Sequence, residues 1–153
     1  HVYALSPDSI TYAWTNWQQP VKDISDAYEK RFYPDEFNDF AARMAWAESG
    51  TGNTNPVVIV NGSESILPLV IKAKVGDVVQ LNASQSYDAE GDELSFLWWQ
   101  QGAGVTIENP TASDISLTIP STAKGKRLHI ICEVRDNGDF ALVSYRRVIL
   151  EIE

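Results

Sequence analysis

The chain begins with a region in which apolar residues follow helical spacing. Four side chains recur at intervals of i, i+3, i+4 and i+7, namely Phe37, Phe40, Ala41 and Met44. This spacing predicts a helix from about Pro34 to Glu48, because proline is tolerated in a first helical turn. A shorter helix from about Ser25 to Phe32 is also predicted, with Ser25 as its N-cap. Residues 1–20 carry four aromatic rings without clear periodicity, and we expect them to pack on another part of the protein.

After Pro56 the pattern changes to short β-branched runs that are separated by turn-forming residues. This pattern is typical of an all-β sandwich. Eight strands are predicted, at about Val57–Val60, Ile66–Lys72, Val78–Ala83, Leu94–Gln100, Val105–Glu108, Ile115–Ile119, Leu128–Arg135 and Val143–Ile152. No stretch of helical length interrupts them, so we expect antiparallel pairing rather than a parallel sheet.

Alternation along the strands assigns side chains to the two faces of each sheet. Two apolar rows are expected to form the core, namely Leu128, Ile130, Cys132 and Val134 on one strand and Val148, Leu150 and Ile152 on another. Phe96 and Trp98 share one face of their strand, whereas Leu97 and Trp99 share the other. Both faces of that strand are therefore apolar, unlike an ordinary strand with a solvated outer face.

Charge narrows the range of partners. The 153 residues include 21 Asp and Glu against 12 Lys and Arg, for a net charge of −9. A nucleic acid or an anionic membrane would be repelled, so neither is expected as a partner. No apolar run approaches the ~18 residues of a membrane span. Cys132 is the only cysteine, so the sequence predicts no internal disulfide.

Several separated segments resemble known families. Residues 75–92, with the acidic turn Glu90-Gly91-Asp92, followed by the aromatic strand 94–98, resemble the polycystic-kidney-disease-type (PKD) domain. A narrower similarity, to the C-terminal domain of secreted bacterial cellulose-binding proteins, covers residues 94–100, 102–104, 128–138 and 144–149. Those proteins carry an N-terminal nucleoside-hydrolase-like domain, and residues 39–46 and 55–62 are similar to the junction between the two domains.

The resemblance implies an organisation for the whole chain. Residues 1–55 would be a helical segment that forms the tail of a missing nucleoside-hydrolase-like domain. Residues 56–153 would be the PKD- or immunoglobulin-like antiparallel β-sandwich. The resemblance also implies a secreted or extracytoplasmic accessory module, with a cellulose-like polysaccharide as its partner. The alternative partner is the parent protein's own N-terminal domain.

The outer sheet face offers the candidate ligand site. Trp99 and Leu97 are expected to face outward there, with His129 and Tyr145 on neighbouring strands. Aromatic rings on a flat sheet stack on the apolar faces of sugar rings, and polar neighbours can bind hydroxyl groups. Such a patch can equally form a contact between domains. Sugar binding and a purely structural role therefore both stay open, with coplanar, exposed rings favouring the first.

Other chemistry is weakly marked. His129 and Cys132 are three residues apart on a strand, so they project to opposite faces and cannot act as a base and a nucleophile. We expect no catalytic site and no cofactor. Asp88, Glu90 and Asp92 are interpreted as a plain turn, with calcium chelation as the alternative and with Asp136 and Asp139 as acids that could approach. Arg146 and Arg147 are interpreted as a solvated edge or as salt-bridge partners of Glu133.

Overall fold

One long helix precedes eight short strands in the computed structural model, which describes residues 19–102 and 104–153. The elements are α1 (Gln19–Ser49), β1 (Ile59–Val60), β2 (Ser63–Glu64), β3 (Leu69–Ala73), β4 (Val78–Asn82), β5 (Ser95–Gln101), β6 (Asp114–Thr118), β7 (Arg127–Arg135) and β8 (Val143–Ile152). A 3₁₀ turn covers Ser121–Ala123. The four aromatic residues near the start of the chain, which we expect to pack on another part of the protein, lie outside the described residues.

The chain divides into two compact units between Phe37 and Asn38, inside α1. In its described part, the first unit contains only the beginning of this helix. The second unit, Asn38–Glu153, contains the end of the helix and every strand. The domain boundary near residue 55 stays a prediction.

Helix α1 is continuous where the sequence predicted two helices. Pro34 lies inside it and removes one backbone hydrogen bond, yet the helix continues on both sides. The predicted break was therefore wrong, because the loss of one hydrogen bond does not by itself end a helix of this length. The helix ends at Ser49, and Gly50 follows with φ 79° and donates its N–H to the Trp46 carbonyl at 2.7 Å.

Three sheets form the β region. The four-stranded sheet has the order β3-β8-β7-β5, β4 pairs with β6, and β1 pairs with β2. The β1–β2 hairpin turns through Asn61 and Gly62, which both have positive φ as a two-residue type I′ turn requires. This hairpin replaces the single predicted strand over residues 57–60.

The pairing of β3 with β8 is parallel, with Leu69 opposite Val148 and Ala73 opposite Ile152. The expectation of purely antiparallel pairing was wrong at this edge. No crossover helix is needed here, because the intervening strands of the sandwich carry the chain back. The other pairs, β5–β7, β7–β8, β4–β6 and β1–β2, are antiparallel.

The predicted strand Val105–Glu108 is a loop. Glycines at 102 and 104 precede it, and Asn109 follows with φ 52°. The Val105 N–H donates to the side-chain oxygen Oε1 of Gln100 at 2.8 Å instead of joining a ladder. Turn-forming residues on both sides thus prevent this short run from pairing with a neighbouring strand.

The hydrophobic core lies between the four-stranded sheet and the β4–β6 pair. Both predicted core rows are buried, and they meet Leu81 of β4 and Leu117 of β6. Trp98 fills the centre with only 1% of its surface exposed, and its Nε1–H donates to the Ala112 carbonyl at 2.9 Å. The fold is thus a mainly β sandwich. No helix within the described residues is both long and apolar enough to cross a membrane.

Candidate functional site

The outer face of the four-stranded sheet brings the four candidate ligand residues together. Strand pairing sets Leu97 opposite Glu133, and Glu133 opposite Tyr145. Trp99 and His129 occupy the neighbouring rows of the same face. All four side chains are half-buried. The structure therefore places them on one surface, opposite to the core face that holds Trp98.

The two aromatic rings are separated along a diagonal of this face. Trp99 lies on β5 and Tyr145 on β8, with β7 between them. Two strand spacings and a two-residue step place their Cα atoms roughly 12 Å apart. Ile131, which pairs with Trp99, is buried although it lies on the outer face. The apolar centre of the face is therefore Ile131 with Trp99, and the charged Glu133 separates Leu97 from Tyr145.

A polar pair borders this apolar centre. Nε and Nη2 of Arg147 lie 3.0 and 2.7 Å from Nδ1 of His129. An arginine can only donate, so Nδ1 accepts and the imidazole proton sits on Nε2. Burial, followed by the charges of Arg147 and Arg127, lowers the pKa of His129. The neutral ring thus has an N–H donor on its other nitrogen.

The two adjacent arginines occupy different environments, and neither pairs with Glu133 as proposed from the sequence. Glu133 Oε1 lies 3.2 Å from Nη2 of Arg135. Arg146 is not solvated but buried on the core side, where its Nη2 donates to Ser63 Oγ at 3.1 Å. Its alternation with Val148 on β8 was the sequence signal for this burial. Burial also lowers the pKa of Arg146.

The acidic turn forms a second polar cluster. Asp88 Oδ1 accepts the backbone N–H groups of Glu90 and Asp92 at 2.9 and 3.1 Å, which fixes the turn. Glu90 Oε2 accepts both the N–H and the hydroxyl of Thr54 at 3.0 and 2.8 Å. These bonds lower the pKa of Glu90. The turn is thereby fastened to the segment that leads into β1.

The loop after β7 joins the same cluster. Asp136 Oδ1 accepts the N–H of Leu142 at 3.0 Å and the N–H of Gly138 at 3.1 Å. Asn53 Nδ2 donates to the same oxygen at 3.0 Å and to the Asp139 carbonyl at 2.9 Å. Sequence reasoning did not single out Asn53, because its role depends on a contact with residues more than eighty positions away.

Comparison with known proteins finds a family model that matches most of the sandwich. Residues 78–152 match the sequence model of the family described as the C-terminal domain of cellulose-binding protein Sde0182. The resemblance found in the sequence is confirmed over these residues. The matched segment runs from β4 to β8 and contains all four candidate residues of the outer face. Asn53 lies before it.

A solved structure extends the likeness beyond this segment. A nucleoside hydrolase-related hypothetical protein from Saccharophagus degradans, associated with carbohydrate metabolism, is 36% identical over 81% of this chain, with a TM-score of 0.78. The chain spans 32% of that protein's length. The PKD domain of the KIAA 1837 protein aligns over 67% of this chain and 92% of its own, at 22% identity and a TM-score of 0.44. No curated protein matches the chain.

Cys132 lies within the matched segment but on the core side. Burial, reinforced by the charge of Glu133, raises the pKa of its thiol to about 12. His129 projects from the same strand to the outer face. The structure therefore keeps the two side chains apart, in agreement with the sequence expectation.

A surface groove of about 580 Å³ lies beside β6 and the loop that precedes it. Its lining is mostly small and polar, and it consists of Gly104, Val105, Thr106, Glu108, Ser116, Thr118, Pro120 and Thr122. No aromatic ring is among these residues, so the groove offers hydroxyl groups without a stacking surface. The outer face of the four-stranded sheet is the site where both features occur together.

Proposed function

We propose that the sandwich is a non-catalytic accessory module that binds a cellulose-like polysaccharide on the outer face of its four-stranded sheet. The observation that carries the proposal is the shared position of Trp99, Leu97, Tyr145 and His129 on that face. The family name of the matched segment and the carbohydrate association of the S. degradans protein support the ligand class. Function on a polysaccharide would place the module outside the cytoplasm.

Each of the four residues has a distinct role in this proposal. Trp99 and Tyr145 stack on the apolar faces of sugar rings, and Leu97 extends the apolar surface beside Trp99 on β5. His129 donates its Nε2–H to a sugar hydroxyl, while Arg147 holds the ring through Nδ1. The spacing of roughly 12 Å between the two aromatic residues would suit an extended chain rather than a single sugar.

A pull-down on insoluble cellulose and xylan tests the proposal. We expect the wild-type chain to be retained on cellulose and Trp99→Ala to lose much of this binding, since the stacking of one aromatic ring contributes roughly 0.5–1.5 kcal/mol beyond area burial, by analogy with aromatic pairs. Trp46→Ala is the matched control, because it removes one exposed tryptophan from helix α1 instead of the sheet. Equal retention of wild type and Trp99→Ala would reject the outer face as the site.

A structural function is the second candidate, and a separate observation favours it. Phe40 and Met44 lie four residues apart on α1, and each has more than half of its surface exposed. An apolar stripe of this kind is typical of an interaction surface. In this function the helix packs against the nucleoside-hydrolase-like domain of a longer protein or against a second copy of the chain.

The two functions separate experimentally. Sedimentation velocity would be measured on the chain alone and in a mixture with a separately expressed nucleoside-hydrolase-like domain. A structural function predicts a complex that is lost in Phe40→Asp and kept in Trp99→Ala. Absence of any complex, together with retention on cellulose, would leave carbohydrate binding as the function of the module.

A further inference from the structure

Three buried oxygen atoms in the loops at one end of the sandwich accept no hydrogen bond from any residue that the structure describes. They are Asn53 Oδ1, Asp88 Oδ2 and Asp136 Oδ2. Asn53 and Asp136 are only 8% and 3% exposed. Buried polar atoms in proteins nearly always have a partner, and an exception points to a missing water or ion.

The side chains of Asn53 and Asp136 lie against Gly138, and Asp88 is joined to them through the N–H of Asp92. The amide of Asn53 is oriented by its two donated bonds, to Asp136 Oδ1 and to the Asp139 carbonyl. A Cβ atom on Gly138 would lie 2.1 Å from Asp92 Oδ2 and 2.7 Å from Asn53 Nδ2. Asp92 Oδ2 and Asn53 Nδ2 are therefore no farther apart than the sum of these two distances. Glycine at 138 allows the carboxylate and the amide to approach the same point.

The charged groups that act on Asp92 are all acidic. Burial raises the pKa of Asp92, and the charges of Asp88, Asp136, Glu90 and Asp139 raise it further. Among the described residues, the ion pairs of the structure involve none of Asp88, Asp92 and Asp136. The cluster therefore combines repelling carboxylates with oriented oxygens, and a cation would satisfy both.

We propose that this cluster binds calcium through Asn53 Oδ1, Asp88 Oδ2, Asp136 Oδ2 and the carboxylate of Asp92. Calcium takes six to eight oxygen ligands in flexible geometry, including carboxylate and amide oxygens, with water completing the set. Glu90 is not part of the site, because its Oε2 already accepts two bonds from Thr54. The site is independent of the proposed sugar surface, which lies on the sheet face.

The ligands are close but not yet arranged around one point. Within residues 19–102 and 104–153, no three acidic, histidine or cysteine side chains stand as a ready metal site. Binding therefore has to draw the Asp92 carboxylate toward Asn53 and Asp136. Asp92 can make this movement, since only its backbone N–H is held, by Asp88 Oδ1. The bound ion would tie the segment before β1 to the loops that precede β5 and follow β7.

Isothermal titration of the full chain with calcium chloride, after removal of metal with a chelator, tests the site. We expect a dissociation constant on the order of 10⁻⁴ to 10⁻³ M, as in extracellular modules. Asp92→Asn should weaken binding at least about tenfold, because it removes one charged ligand. Asp92 is chosen because Asp136 holds three donors, so its substitution would also disturb the fold. Asp114→Asn, a carboxylate exposed on β6, is the control and should bind as the wild type does.

Thermal unfolding provides a second readout. Without calcium, Asp92→Asn should unfold at a higher temperature than the wild type, because one repelling charge is gone. With calcium, the unfolding temperature of the wild type should rise, and that of Asp92→Asn should rise much less. The proposal is overturned if the wild type neither binds nor responds to calcium up to about ten times the expected dissociation constant. Unchanged binding in Asp92→Asn, or an equal response to magnesium, would also overturn it.

Discussion

The two adjacent tryptophans of β5 provide a direct test of how the sheet faces are assigned. Trp98 is 1% exposed in the core, whereas Trp99 is half-buried on the outer face. Replacing each by phenylalanine makes the same chemical change at neighbouring positions. The difference between the two variants therefore measures the environment and not the type of substitution.

The cost of Trp98→Phe can be worked out from its contacts. Loss of the bond from Nε1 to the Ala112 carbonyl costs about 0.5–1.5 kcal/mol. The smaller ring leaves a cavity in a closely packed core, which adds about 1 kcal/mol or more. We therefore expect Trp98→Phe to lower the free energy of unfolding by about 1.5–2.5 kcal/mol or more. Trp99→Phe leaves no enclosed cavity and should cost less than about 1 kcal/mol.

Urea unfolding followed by circular dichroism measures both variants. With a slope of about 2 kcal/mol/M, Trp98→Phe should lower the midpoint by roughly 1 M, at an unchanged slope. Trp99→Phe should lower the urea midpoint by only a fraction of this 1 M shift. Equal losses in the two variants, or a larger loss in Trp99→Phe, would refute the face assignment and with it the location of the sugar surface.

Three further predictions follow from buried titratable groups. In urea unfolding, Arg146→Met should leave the free energy of unfolding unchanged or raise it by up to about 2 kcal/mol, because Nε and Nη1 of Arg146 are buried without acceptors among the described residues. A clear decrease in the free energy of unfolding would show that the charge of Arg146 is compensated. Cys132, with its pKa raised to about 12, should not react with a thiol reagent at pH 8 until the chain unfolds, and rapid reaction of the native protein would contradict its burial. Folding lowers the pKa of His129, so the unfolded chain takes up the imidazole proton at a higher pH than the folded chain does. The free energy of unfolding should therefore fall as the pH drops through about 6.5, the ordinary pKa of histidine. This fall should be smaller in His129→Gln, and identical pH profiles of the wild type and the variant would exclude this linkage.

Alternation predicted the sheet faces because it is a local property of a strand. The rows ending at Val134 and Ile152 are buried as expected, and Trp98 and Trp99 lie on opposite faces. The same rule also indicated the burial of Arg146, which continues the row of Val148. The usual preference of arginine for solvent outweighed that signal in the sequence interpretation.

Pairing partners and loop contacts could not be predicted in the same way. The parallel edge between β3 and β8 depends on two strands from opposite ends of the sandwich, and alternation does not specify which strands meet. The predicted strand Val105–Glu108 has suitable residues but no partner. The meeting of Asn53 with Asp136 likewise arises from the fold, although the acidic turn itself was visible in the sequence.

The central claim is that the outer sheet face holds a polysaccharide chain, and hydroxyl-radical footprinting with mass spectrometry tests it without any mutation. Oxidation of each aromatic residue would be measured with and without a soluble cello-oligosaccharide. Phe140, which is exposed in a loop, serves as the internal reference for scavenging by the sugar. We predict that oxidation of Trp99 and Tyr145 falls relative to Phe140 when the sugar is present. Unchanged oxidation of both rings at saturating sugar would contradict the account.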